Sequence, residues 1–128
     1  MNFQIKVLRD LARGNYVIVI TRGSVNIVGF NHLLDKVADA TQPPLDCKVL
    51  IDFQDSTFHF SPSDVTEFVA RFDVEKWPHN NKVALVASPE VEQYRCLAML
   101  REALSKAKRE VGVFCDTREA ISWLADIR

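Results

Sequence analysis

Apolar positions along the chain switch between two periods, and each switch predicts a strand giving way to a helix or the reverse. Residues 3 to 9, and then Tyr16-Val17-Ile18-Val19-Ile20-Thr21, are crowded with β-branched and aromatic side chains around a turn at Arg13-Gly14-Asn15, which predicts a β-hairpin. Phe30, Leu33, Leu34, Val37 and Ala38 then follow the i, i+3, i+4, i+7, i+8 spacing of a helix with one buried stripe, and Gln42-Pro43-Pro44 ends it. Cys47-Lys48-Val49-Leu50-Ile51-Asp52-Phe53 is a short, nearly continuous apolar run, as expected of a central strand covered on both faces.

Ser61-Pro62-Ser63-Asp64 combines a capping serine, a proline at the first helical position and a carboxylate three residues after the cap, so a helix is predicted to open there. Val65, Phe68, Val69 and Phe72 supply its buried stripe. Lys82-Val83-Ala84-Leu85-Val86-Ala87 predicts another buried strand, and Ser88-Pro89-Glu90 repeats the same opening device. The helix after it is expected to run to about Lys108, with Tyr94, Leu97, Ala98, Arg101 and Leu104 on its core side and Lys106, Lys108 and Arg109 offsetting the dipole at its end. A last strand at 111–115 leads into Asp116-Thr117-Arg118-Glu119, an acidic cap with a glutamate three residues on. Ala120, Ile121, Leu124 and Ile127 then form the inner face of a closing helix.

A hairpin followed by helices alternating with strands implies an α/β fold: a mixed sheet of about five strands, parallel after the hairpin, covered by about four helices. With 128 residues and no repeat, low-complexity tract or Gly/Ser linker, the expectation is one domain over 1–128. Hydrophobic residues at 48% and charged residues at 26% place the chain among globular proteins. Sixteen basic against seventeen acidic residues leave a net charge of -1, too little to gather nucleic acid, which is therefore not an expected partner. The start Met1-Asn2-Phe3-Gln4-Ile5-Lys6 lacks a secretory pattern, and no apolar run is long enough to span a bilayer, so a cytoplasmic protein, at most peripheral to a membrane, is expected.

Chemistry-bearing constellations are absent from the linear sequence. Cys47, Cys96 and Cys115 are an odd number at wide spacing, which argues for small buried side chains rather than a disulfide framework or metal clip. His32, His59 and His79 are isolated, and Gly14, Gly23, Gly29 and Gly112 form no phosphate-binding loop, so neither an enzyme nor a cofactor is expected. What stands out is a concentration of rings. Phe53, Phe58, Phe60, Phe68, Phe72 and Trp77 fall within one strand, loop and helix, and Phe58, Phe60 and Trp77 fall in or beside loops, where large rings mark contacts with a ligand, membrane or partner.

Three segments carry a family resemblance. Val49-Leu50-Ile51-Asp52-Phe53 with Thr57-Phe58, then Lys82-Val83-Ala84-Leu85-Val86, then Phe114-Cys115-Asp116-Thr117-Arg118-Glu119-Ala120-Ile121-Ser122-Trp123-Leu124 resemble, in matching order, the SpoIIAA-like proteins of the STAS domain superfamily, related to anti-sigma factor antagonists. The resemblance spans nearly the whole chain and implies a STAS, SpoIIAA-like domain. It also implies a loop after the central strand that reads D-S-S-G in the antagonists, where phosphorylation of the second serine switches binding to a kinase-like protein. Here the aligned positions read Phe60-Ser61-Pro62-Ser63, so proline stands at the phosphoacceptor and the switch is missing. Members of the family also resemble proteins that expose apolar helix surface and enclose lipophilic molecules.

The expected function is therefore a non-enzymatic binding or regulatory module. Its expected contact surface is Phe58, His59, Phe60, Ser61, Ser63, Phe68, Phe72 and Trp77, facing a lipophilic small molecule or membrane surface. The alternative is an interaction module of anti-sigma-antagonist type, binding a regulatory protein without the phosphoserine switch. A homodimer is compatible with either.

Overall fold

The computed structural model describes residues 2–10, 14–40, 47–58, 61–71, 82–106 and 110–125. Among these the order is β1 (Asn2–Asp10), β2 (Gly14–Val25), α1 (Ile27–Ala40), β3 (Cys47–Phe58), α2 (Pro62–Arg71), β4 (Lys82–Val86), α3 (Val91–Lys106), β5 (Val111–Phe114) and α4 (Thr117–Ala125). The strands form one sheet in the order β1-β2-β3-β4-β5. β1 and β2 are antiparallel, and β2 through β5 are parallel.

Sheet order equals chain order, and that decides where the helices go. Each parallel crossover is right-handed and steps the same way along the sheet, so α1, α2 and α3 lie side by side on one face. Phe30, Leu33, Leu34 and Val37 of α1, Val65 of α2, and Leu97 and Leu100 of α3 close there over Val17, Val19, Val49, Ile51 and Phe53 in the main core. α4 follows the last strand and returns across the other face, where Ala120 and Leu124 pack on Leu50, Ala84 and Val86.

β3 runs five residues further than its apolar run indicates, and a bulge makes that extension productive. Ile20 pairs with Asp52 but Arg22 pairs with Asp55, so β3 carries one extra residue at this point. The extra residue shifts the alternation: Val49, Ile51 and Phe53 face the core before it, and Ser56 and Phe58 face the same core after it. Phe58 is thus a buried strand residue, set edge-on to Phe53 at 4.8 Å between ring centroids, and not a ring presented by a loop. Thr21 is also buried at this point. Its hydroxyl donates to the Asp52 carbonyl at 3.1 Å and meets the Ser56 hydroxyl at 2.6 Å, satisfying the polar groups that the bulge leaves behind.

Other expectations shift by small amounts. α3 opens at Val91, after Ser88-Pro89-Glu90, with the Tyr94 N–H donating to the Glu90 carbonyl at 3.1 Å. Its buried line is Gln93, Leu97 and Leu100; Tyr94 is exposed, and Ala98 and Arg101 are only half covered. Turning the helix in this way keeps the phenol at the surface. Ile121 of α4 is likewise exposed, because Ala120 and Leu124 alone fill the narrow contact with β3 and β4. Cys115 is exposed and Cys96 half-buried, against the expectation of buried thiols: β5 ends at Phe114, which leaves Cys115 in the connection to α4. The side chains of Ala38, Cys47, Phe68, Val69 and Leu104, and residues Phe72, His79, Lys108, Arg109 and Ile127, lie outside the described residues.

Candidate functional site

All four helices begin at the same end of the sheet, where the parallel strands finish, and three of their first turns are closed by side chains. Asn26 Oδ1 accepts the Gly29 N–H at 2.8 Å, and Asp116 Oδ1 accepts the Arg118 N–H at 2.8 Å. At α2 the closure is reciprocal: Ser61 Oγ accepts the Asp64 N–H at 3.1 Å, while Asp64 Oδ2 accepts the Ser61 N–H at 2.9 Å. This is the predicted capping arrangement, with aspartate as the returning carboxylate. The Ser63 hydroxyl stands 3.0 Å from that of Ser61, and both serines are exposed.

The first turn of α2 therefore offers two adjacent hydroxyls at the positive end of a helix. The carboxylate of this turn, Asp64, is engaged with the Ser61 N–H and so is held as a cap and not as a base for either hydroxyl. Of the sequence-predicted surface, the structure brings Ser61 and Ser63 together and places Phe58 in the core. Phe68 lies within α2, its side chain outside the described ones, and His59, Phe60, Phe72 and Trp77 fall outside the described residues.

Two further side chains at this end were not among the sequence candidates. Val28, in the first turn of α1, is 72% exposed, and Val91, the first residue of α3, is 68% exposed. α1 and α3 pack on either side of α2, so these valines stand on the helix starts neighbouring that of the Ser61–Ser63 turn. A signal for them exists: Val28 is about 200° around the helix from Phe30, and Val91 about 200° from Gln93, so both are out of phase with the buried stripes. Near the start of α3, the Ser88 hydroxyl and Gln93 Oε1 are buried without a hydrogen-bond partner.

His32 is exposed on α1, edge-on to Phe3 at 6.2 Å. Among the described residues no group of three His, Cys, Asp or Glu side chains is placed to hold a metal ion. No helix among them is long and apolar enough to cross a membrane. Because the strand order never reverses, the parallel strands also lack the switch-point crevice in which doubly wound sheets seat their nucleotides.

No family model matches the chain. No curated protein matches it either. Solved structures do. An uncharacterized protein of the DUF3478 family from Shewanella loihica PV-4, reported with a SpoIIAA-like fold, superposes with a TM-score of 0.60 at 17% identity over 95% of this chain and 93% of that one. The anti-sigma factor antagonist SpoIIAA in its unphosphorylated form superposes with a TM-score of 0.54 at 14% identity, over 97% of this chain and 100% of that one. The fold is SpoIIAA-like.

Coverage of nearly the full length on both sides means that the SpoIIAA-like fold includes the β1–β2 hairpin and α4, not only the parallel strands between them. In this SpoIIAA-like chain the turn after β3 is a capped helix start. Pro62 occupies the first helical position, where its missing N–H costs nothing, and it brings no hydroxyl.

Proposed function

We propose that residues 1–128 act as one non-enzymatic regulatory domain that binds another protein through the end of the molecule where α2 begins. The observation that carries this reading is the exposed Ser61–Ser63 pair on a capped helix start, with the outward valines Val28 and Val91 on the neighbouring helix starts. Polar donors and acceptors surrounded by solvent-facing apolar groups are what a protein surface needs to gain both burial and specificity on contact. His59, Phe60, Phe68, Phe72 and Trp77 would extend the same surface, and Phe58 would support it from the core.

Likeness in fold to an anti-sigma factor antagonist supports a kinase-like or sigma-factor regulator as the class of partner. With Pro62 in place of a hydroxyl, binding would be controlled by the partner's abundance or state, not by phosphate at this position. The test is co-purification from the native host with the natural protein and with Val91→Glu. We expect a regulator of that class with the first and at least a tenfold smaller yield with the second, as for loss of a central apolar contact to a buried charge. Identical recovery with both proteins would remove this end of the molecule from the interaction.

A second reading places a lipophilic molecule or membrane surface on the same aromatic segment, favoured by the solvent-facing Val28 and Val91. Native mass spectrometry and liposome flotation of the purified protein separate it from the first, and the same spectra report any homodimer.

A further inference from the structure

The two faces of the sheet are covered unequally. Among the described elements, three helices close one face, but α4 alone lies on the other, over β3, β4 and β5. The outward side chains of β1 and β2 on that second face stand in cross-strand rows: Leu8 beside Tyr16 and Lys48, Lys6 beside Ile18 and Leu50, Gln4 beside Ile20 and Asp52, and Asn2 beside Arg22 and Asp55. Leu8 is 40% exposed and Ile20 is 43% exposed, while Tyr16 and Ile18 are partly covered along the border with α4.

α4 forms one wall of this open strip. Trp123 leans toward β5, where its ring lies 5.6 Å from that of Phe114 and 3.4 Å from the place a Cβ on Gly112 would take. Ile121, about 200° around the helix from Trp123, therefore faces the open half; it is 49% exposed. Arg118 lies one turn before it on the same flank. The result is a trough floored by Leu8, Tyr16, Ile18 and Ile20, walled by α4, and ending in an open pocket of about 610 Å³ lined by Asn2, Phe3, Gln4, Ile20 and Arg22.

Dimensions and charge select the occupant. From β1 to β3 the floor is about 10 Å wide, the diameter of one α-helix. From Tyr16 to Ile20 it is about 13 Å long, enough to seat the roughly 10.5 Å from i to i+7 of an apolar stripe on two turns of helix. Among the described side chains, Lys6, Arg22 and Lys48 on the strands and Arg118 on the near flank of α4 stand against Asp52 and Asp55. Asp52 is moreover engaged by the Gln54 N–H at 2.9 Å. No described helix of a second copy supplies such a stripe: the large apolar side chains left outward on them are Val28, Val91, Tyr94 and Ile121, of which only Val91 and Tyr94 share a helix, as a single i, i+3 pair.

We infer that the open half of the sheet, on β1 and β2 beside α4, is a docking trough for an amphipathic helix of a partner protein, with an apolar stripe and acidic flanks. The bound helix completes the second helical layer, lying next to α4. This surface is separate from the start of α2, so each can be tested without the other.

The experiment uses the full chain and a fluorescent helix-favouring peptide with leucines at i, i+3, i+4 and i+7 and glutamates on the flanks. A matched peptide carries lysines in place of the glutamates. We expect the acidic peptide alone to bind, with amide shifts confined to β1, β2 and the Ile121 flank of α4. Ile20→Ser and the charge reversal Lys6→Glu should each weaken binding about tenfold, the scale of one apolar anchor or one close charge pair. Val91→Glu, at the other surface, should leave it unchanged. Both substituted positions are exposed, and unaltered melting curves verify that the variants fold. Equal affinity for the two peptides, or shifts away from β1 and β2, overturns the inference. So does Ile20-dependent capture by phosphatidylglycerol vesicles without peptide binding, which would make the trough a membrane contact, or Ile20-dependent dimerisation, which would make it a self-interface.

Discussion

Thr21 and Ser56 illustrate how much a single buried hydroxyl pair decides. They are two of the few polar side chains inside the sheet, and they lie at the step where β3 gains a residue relative to β2. Replacing Thr21 with valine keeps the volume but removes the donor to the Asp52 carbonyl and the partner of the Ser56 hydroxyl. The expected loss is about 1–3 kcal/mol, the cost of stranding buried polar groups, measured from urea midpoints. Ser56→Ala in the Thr21→Val background should recover part of it, because one stranded hydroxyl is then gone. At the surface, Ser61→Ala should cost about 1 kcal/mol by opening the cap of α2, again read by urea unfolding. Neither Thr21 nor Ser56 is a position that composition or periodicity would rank beside the aromatic residues.

Among the elements, α4 has the most exposed task, since it covers its face of the sheet without a neighbouring helix. Its start is fixed by Asp116 and its end by Lys82, whose ammonium donates to the Trp123 carbonyl at 3.2 Å and lies 4.7 Å from the centre of the Trp123 ring. Glu110 stands 3.9 Å from the same ammonium and adds little where it is exposed. Between these ends the helix is held by Ala120 and Leu124. Leu124→Ala should therefore destabilise the protein by about 2–5 kcal/mol, the range for emptying a leucine site in a core, and the near-ultraviolet signal of Trp123 should weaken with it. A loss below 1 kcal/mol in calorimetry would mean that α4 is held by its ends and not by its core contact. β3 makes the complementary point: its bulge turns an alternation that would expose Phe58 into one that buries it, so a one-residue irregularity transfers a ring from a presumed contact loop to the core.

For the whole molecule, the governing fact is that strands follow one another across the sheet in chain order. One face then receives all three crossover helices, the other receives whatever follows the last strand, and both proposed interaction surfaces result from this. Aligned helix starts create the end face carrying Val28, Ser61, Ser63 and Val91. The shortage of helices on the second face creates the trough beside α4. Substitutions at Val91 and at Ile20 should accordingly act on different partners and combine without coupling, as distant sites do.

Local chemistry in the sequence was enough to determine the elements and their order: the β-branched runs of the hairpin, the α1 stripe at Phe30, Leu33, Leu34 and Val37, the cap at Ser61-Pro62-Ser63-Asp64, and the motifs that resemble the SpoIIAA-like proteins. Such signals act within a turn or two of chain and do not depend on distant neighbours. The bulge that buries Phe58, the rotation of α3 that hides Gln93 and exposes Tyr94, the exposure of Cys115 and the outward placement of Ile20 and Ile121 depend on which strand or helix lies alongside. Only the tertiary structure decides those, because burial belongs to a pair of packed surfaces and a sequence pattern describes only one of them.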